Sequence, residues 1–250
     1  MKQNNFVKKI RRPFARAKEI FREKGIYCAI RAGMGKIINW LLNSFWCYYY
    51  KIFKSSRTFT FQEKSYNYFY HKYNITFRNE RMVEIPIIWE MMSGYRGKEI
   101  LEVGDVLSHY FPVNHEILDK YDKSDGLINA DVCDFQPLKK YDLIVSISTL
   151  EHVGWDEDPH EPMKILRAIA NLKSLLASNG KIIATLPLGH NLVMDRLLNE
   201  GKIQFTKMHC LKRVSRDNRW VEAHFKDINN ARHDYPFKNA NALVIGVIEK

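Results

Sequence analysis

Five short stretches of this chain lie where ligand chemistry is possible, and four of them carry polar or acidic groups. Glu102-Val103-Gly104-Asp105 ends an apolar run on a glycine. There the chain can turn tightly, and a backbone without a Cβ can approach a ligand closely. Glu102 lies two residues before Gly104, on the same face, and its carboxylate can accept from an ammonium or from backbone N–H groups. Asp119, 15 residues beyond Gly104, suits the two hydroxyls of a ribose. Asp131 suits the amino group of an adenine ring. Ser148–His152 and Leu188–Asn191 complete the set. Any one aspartate in such a place reads first as a turn or helix cap. Four polar strand ends out of five exceed what turn chemistry alone explains.

Other chemistries are excluded by absence. The chain has no GxGxxG, no GxxxxGK[ST], no HExxH and no GxSxG. With one glycine, the loop after Val103 lacks a pyrophosphate cradle. That disfavours dinucleotides and leaves a ligand without phosphates, such as an adenosine thioether. Glu151, Asp156, Glu157 and Asp158 are close in sequence but read as solvated loop acids, so no metal site is expected. Cys28, Cys47, Cys133 and Cys210 are far apart and form no CxxC pair, which fits free thiols in a reducing cytoplasm.

The elements that must carry these residues follow from periodicity. Asn79–Ser93 reads as a helix re-nucleated at Pro86. Strands are expected at Lys98–Gly104, Glu116–Asp119, Leu127–Asp131, Tyr141–Ser148, Lys181–Leu186, His209–Ser215 and Ala242–Glu249. Ile165, Leu166, Ile169, Leu172 and Leu176 have helical spacing, with Asn179-Gly180 as stop chemistry. Strands alternating with helices imply an α/β fold: a mostly parallel seven-stranded sheet with helices on both faces. Ligands in such sheets sit beyond the carboxyl ends of the strands. Upstream, eight aromatic residues from Phe59 to Phe77 surround Gln62-Glu63-Lys64-Ser65, which reads as a tight turn between two short strands and a small aromatic core.

Charge divides the chain. Residues 1–57 hold 14 Lys/Arg against two acids, a balance of +12, and residues 58–250 hold 25 against 26, a balance of −1. The domains are therefore drawn as a basic amphipathic extension (1–57), an aromatic-rich connector (58–79) and a main domain (80–250). The uncharged run 37–50 is 14 residues long, too short to span a bilayer. Its helical spacing and its Trp and Tyr residues fit an in-plane membrane-surface anchor, and fit equally a helix packed on the domain. A basic arm for RNA is the third reading. The near-neutral remainder offers no broad phosphate-binding face.

The order of motifs from about Lys98 to Lys250 resembles the class I S-adenosylmethionine-dependent methyltransferases. Leu101–Gly104 looks like their first motif and Asn129–Val132 like their adenine-side acidic motif. Tyr141–Ser146 with Thr149–Val153 looks like the fourth-strand motif. Leu175–Lys181 with Thr185–Pro187 looks like the helix-to-fifth-strand signature. The pattern, with Val106–Tyr110 and Glu151–Asp156, also resembles methyltransferase-like proteins of polysaccharide gene clusters. The resemblance implies a Rossmann-like fold and S-adenosylmethionine as cofactor. It implies that Glu102 and Gly104 line the methionine end, that Asp105 is a further cofactor-binding residue, and that Asp119 (or Asp122) holds the ribose. Asp131 and Val132 would then flank adenine, and Ser148 with Glu151 and His152 would face the transferred methyl. Val106 and Ser108 replace two family glycines, so their side chains are expected to crowd the methionine end. A hydroxyl acceptor needs a base, and histidine suits proton removal near neutral pH. His152 is the first candidate, with Glu151 as its orienting carboxylate or an alternative base, and His190 is the second. No NPPY-like stretch follows the fourth strand, which leans toward an oxygen acceptor. The implied substrate is a saccharide of a cell-envelope glycan or its lipid-linked precursor, met in the cytoplasm or at the inner membrane face. The alternatives are a non-catalytic binding module of the same fold for a glycan or an assembly partner, and an RNA methyltransferase.

Overall fold

A computed structural model describes residues 34–35, 38 and 40–250. The chain forms two units, Met1–Phe53 and Lys54–Lys250. In the first, residues 40–53 form helix α1. Its Trp40, Leu41, Phe45, Tyr48 and Phe53 are exposed, whereas Cys47 is buried. No described helix is long and apolar enough to cross a membrane. The basic stretch 2–24 lies outside the described residues.

The second unit opens with a hairpin, β1 (Thr58–Phe61) and β2 (Lys64–Asn67), paired antiparallel. Gln62 and Glu63 both have positive φ, 51° and 61°, the conformation a two-residue hairpin turn requires. Phe59 and Phe61 are buried, Phe59 stacks on Tyr66, and the Tyr68 hydroxyl accepts from the Trp220 N–H at 2.9 Å.

Helix α2 (Arg81–Ser93) runs through Pro86 without the expected break. Proline has no N–H to give the carbonyl one turn back, at Met82. That carbonyl instead accepts from the Phe69 N–H at 2.9 Å, so the aromatic connector supplies the missing partner.

The main sheet has seven strands: β3 (Ile100–Val103), β4 (Glu116–Leu118), β5 (Tyr141–Ile147), β6 (Leu176–Pro187), β7 (Lys207–Arg213), β8 (Trp220–Ala223) and β9 (Ala242–Glu249). They lie in the order β4-β3-β5-β6-β9-β7-β8. The β4–β3, β3–β5 and β5–β6 pairs are parallel, and the β6–β9, β9–β7 and β7–β8 pairs are antiparallel. Two further helices, α3 (Lys164–Ser174) and α4 (Leu192–Asn199), follow β5 and β6. This is a Rossmann-like α/β sheet. It is parallel in one half and antiparallel in the other, so the expectation of a mostly parallel sheet is met only in part.

The count of seven is reached by different strands. Leu127–Asp131 is not a strand but a single bridge, Leu118↔Ile128. Asn129 turns its amide to the carbonyls of Asp119, Lys120 and Asp122, pulling the backbone out of the ladder. The seventh strand is β8, whose four residues alternate too briefly to stand out in sequence. β6 begins at Leu176 rather than Lys181, with a bulge against β5 between the Tyr141 and Leu143 registers. The apolar strands β5, β6 and β9 form the buried centre.

The chain leaves β3 toward β4 on one side and returns to β5 on the other. The carboxyl ends of β3 and β5 therefore flank a topological switch point, the crevice where open α/β sheets take ligands.

Candidate functional site

A cavity of about 330 Å³ opens at this switch point, near the lower end of the size range for small-molecule sites. Its wall includes Gly104, Asp119, Tyr121, Asp131, Val132, Thr149, His152 and Asp156. Most come from the strand ends singled out in the sequence.

Gly104 has φ +87°, and a Cβ there would lie 2.7 Å from Thr149 Cγ2. Glycine is thus required both by backbone conformation and by the loop after β5. Beyond it the chain makes only one 3-10 turn, Leu107–His109, and Glu102 holds that turn. Glu102 is fully buried. Its Oε1 accepts from the N–H groups of Val106 and Leu107 at 3.0 and 2.8 Å, and its Oε2 stands 2.7 Å from His115 Nε2. Glu102 therefore binds its own loop and does not line the cavity, contrary to the sequence expectation. Val106 and Ser108 are also outside the wall.

Asp119 organises the opposite lip. Its Oδ1 accepts from the N–H groups of Tyr121 and Asp122 at 2.8 and 2.7 Å, and its Oδ2 accepts from the Asp105 N–H at 3.1 Å. A carboxylate offers about four lone-pair sites, so one remains for a ligand hydroxyl. Asp122 accepts from Ser124 and is not in the wall. Asp105 accepts from the Ser108 hydroxyl and is not in the wall.

Asp131 sits in a quartet of charges. Its Oδ2 is 2.5 Å from Lys164 Nζ and 2.9 Å from Lys120 Nζ. Glu157 Oε2 is 2.6 Å from each of the same two ammonium groups. Burial pushes the Asp131 carboxyl up, but the two lysines and the Cys133 N–H outweigh it and hold it well below the usual carboxylate range. Burial likewise opposes the Lys120 charge, and its carboxylate partners overcome that and raise its pKa. Sequence reading found the aspartate, missed Lys120 and Lys164, and read Glu157 as a solvated loop acid; the four come together only through folding.

Beneath the crevice lies a second polar cluster that sequence reading also missed. Arg81 donates to Ile147 O at 2.6 Å and to Glu84 at 3.3 Å, while Ser148 Oγ donates to Glu84 Oε1. Burial pushes the Glu84 carboxyl up, against the pull of Arg81. The available signal was Glu84 itself, an acid inside the apolar run Val83–Ile88. Ser148 serves this cluster and does not line the cavity.

At the mouth, His152 Nδ1 is 2.5 Å from Asp156 Oδ2, and its Nε2 is 3.5 Å from Glu151 Oε1. The carboxylate hydrogen-bonded to His152 is thus Asp156. Burial opposes the Asp156 charge, but its hydrogen bond with His152 and the nearby His190 hold the carboxyl below its ordinary value. Glu151 is 1% exposed, and burial pushes its carboxyl well up. Buried in this way, the Glu151 carboxyl lies behind the His152 ring, whose Nε2 it approaches. His190 comes from the loop after β6, and its ring centroid is 4.8 Å from that of His152. His152, Glu151 and His190 thus converge, with Asp156 between the imidazoles.

No protein-family model and no curated protein matches the chain. Solved structures resemble it. The N-methyltransferase NodS from Bradyrhizobium japonicum WM9, in complex with S-adenosyl-L-homocysteine, is 14% identical, with 68% of this chain and 87% of that chain covered and a TM-score of 0.41. An S-adenosylmethionine-dependent methyltransferase from Clostridium acetobutylicum ATCC 824 is 10% identical, covers 83% and 98%, and has a TM-score of 0.38. The sugar N-methyltransferase KedS8 from Streptoalloteichus sp ATCC 53650 is 10% identical, covers 63% and 83%, and has a TM-score of 0.32. Likeness at this level speaks to neither activity nor substrate.

Proposed function

We propose that this chain is an S-adenosylmethionine-dependent methyltransferase that methylates a saccharide oxygen, on a cell-envelope glycan or its lipid-linked precursor. The observation that carries this reading is the cavity at the switch point. Asp119 and Asp131 stand on its wall at the ends of successive chain segments, and His152 stands at its mouth. The residues fit the cofactor: Asp119 keeps a lone pair for a ribose hydroxyl, Asp131 Oδ1 accepts, among the described residues, from Cys133, and Val132 offers an apolar face to a ring. When bound, the cofactor supplies a methyl group on a positively charged sulfur, a leaving group already activated.

The protein then has to position, to exclude water and to take one proton. With its Nδ1–H donated to Asp156, His152 keeps a lone pair on Nε2 and can receive the proton of an acceptor hydroxyl. His190 is the second candidate for that proton. Residues 1–57 would hold the enzyme at an anionic membrane surface, where each nearby Lys or Arg adds about 1 kcal/mol.

One observation favours a second reading, a non-catalytic module that binds a glycan or an assembly partner. Lys120 and Lys164 already neutralise the acid expected to face adenine. Calorimetric titration of the full chain with S-adenosylmethionine and S-adenosylhomocysteine separates the two. Binding that weakens at least about tenfold (~1.4 kcal/mol) in Asp119→Ala supports the enzyme. A folded chain that binds neither compound is the binding module.

A further inference from the structure

We propose that His152, Asp156 and His190 form a binding site for a divalent first-row transition ion at the mouth of the cavity. One candidate ligand atom from each residue lies within 4.8 Å of the other two. His152 and Asp156 belong to one turn, in which the Asp156 N–H donates to His152 O at 3.1 Å, so their side chains leave the same side. His190 is fixed between two pinned neighbours. Gly189 has φ +85° and packs against the backbone of residues 231–233, where a Cβ would lie 2.6 Å from Ala231 O. Asn191 caps α4 through the N–H groups of Val193 and Met194, and it donates to Glu151 O at 2.8 Å.

Two unpartnered atoms point to a ligand. His190 Nε2 is buried and makes no hydrogen bond, although Asp156 Oδ2 is 3.5 Å away. Glu151 Oε2 is also buried without a partner, and the other oxygen of that carboxyl stands 3.5 Å from His152 Nε2. A buried polar atom left unsatisfied is costly, and an ion between the imidazoles and Asp156 would satisfy the first. A carboxyl behind a ligating imidazole is the usual outer-shell arrangement that fixes its tautomer.

The donor set defines the class of ion. Two imidazoles and one carboxylate suit Zn²⁺, Mn²⁺, Fe²⁺ or Co²⁺, whereas Mg²⁺ and Ca²⁺ prefer all-oxygen sites. Ligation at about 2.1 Å needs His152 Nδ1 and Asp156 Oδ2 to separate to about 3 Å. Both side chains are about half exposed and have room to do so. The incoming ion displaces the proton they share, which leaves to solvent. Three protein ligands leave a position open for an acceptor oxygen, whose hydroxyl the ion would acidify. That use rests on the proposed methyl transfer; occupancy does not. Asp156 then departs from its sequence reading as a solvated loop acid.

The test uses the full, untagged chain without cofactor. It is loaded with Zn²⁺ or Co²⁺, desalted and assayed for metal, alongside His190→Ala, His152→Ala and Asp156→Asn. About one equivalent should be retained by the native chain and less than a tenth of that by His190→Ala, with circular dichroism unchanged. No retention by the native chain, or undiminished retention in the variants, overturns the site. The Co²⁺ spectrum of the native chain gives an answer even if a variant fails to fold. Ligand-field bands without thiolate charge transfer support the site, and a thiolate band assigns the metal to cysteine and overturns it. Titration with S-adenosylhomocysteine is a separate readout, so loss of the cofactor reading and loss of the metal site are distinguishable.

Discussion

Replacing Gly104 by alanine should destabilise the chain by about 1–3 kcal/mol, measured by denaturant unfolding. The new Cβ meets Thr149 and the backbone is held at φ +87°. Asp131→Asn should cost about 2 kcal/mol, because it leaves Lys120 and Lys164 facing Glu157 alone. Cofactor affinity should fall with it. These positions show what single residues disclose in sequence. A glycine after an apolar run and acids at strand ends are visible, because turn and strand chemistry are local. The partners of those acids are not. Lys164 lies 33 residues from Asp131, and only the packing of α3 near that loop brings them together. For Glu102, residue type and position were legible, but its carboxylate was already occupied by the short turn that follows it.

At the scale of elements, the two loops that carry the histidines are tied through one side chain. Asn191→Ala removes both the cap of α4 and the link to Glu151 O, so a loss of about 1–2 kcal/mol is expected. Methyl transfer, where measurable, should fall further than stability does. Pro86→Ala is expected to yield less than the ~3 kcal/mol usual for removing a proline from a helix. The Met82 carbonyl that the new N–H at position 86 would seek already accepts from the Phe69 N–H. The long elements β5, β9 and α3 were legible, because buried strands and amphipathic helices write their period into the chain, and the short β3 was legible because it runs into Gly104. The segment Leu127–Asp131 misled, since its composition suits a strand while the Asn129 amide captures the carbonyls around it. β8 was missed for the opposite reason: its place is set by its partner β7.

For the molecule as a whole, charge and pH make separate predictions. The +12 balance of residues 1–57 should give binding to anionic vesicles that weakens with salt and is lost on their deletion, measured by co-sedimentation. In the second unit, Asp195 accepts from the Gly189 N–H at 2.8 Å, and burial pushes its carboxyl up to about 6 from 3.8. Between about pH 4 and pH 6 the folded chain keeps a proton that the unfolded chain has released. Stability should therefore fall as pH rises through that window and level off above it. Asp195→Asn should flatten this slope and stabilise the protein by roughly 2 kcal/mol at about pH 8, read from unfolding midpoints.

The sheet also ends abruptly on both sides. β4 is three residues long and is met on its outer side only by the single bridge to Ile128, while β8 is four residues long. The long apolar strands β5, β6 and β9 each have a neighbour on both sides. Open rows of backbone N–H and C=O groups are what recruit further chains into fibrils, and short outer strands deny them a template. Native copies of this unit should therefore resist runaway polymerisation, and any assembly they form should meet through side chains rather than by extending the sheet.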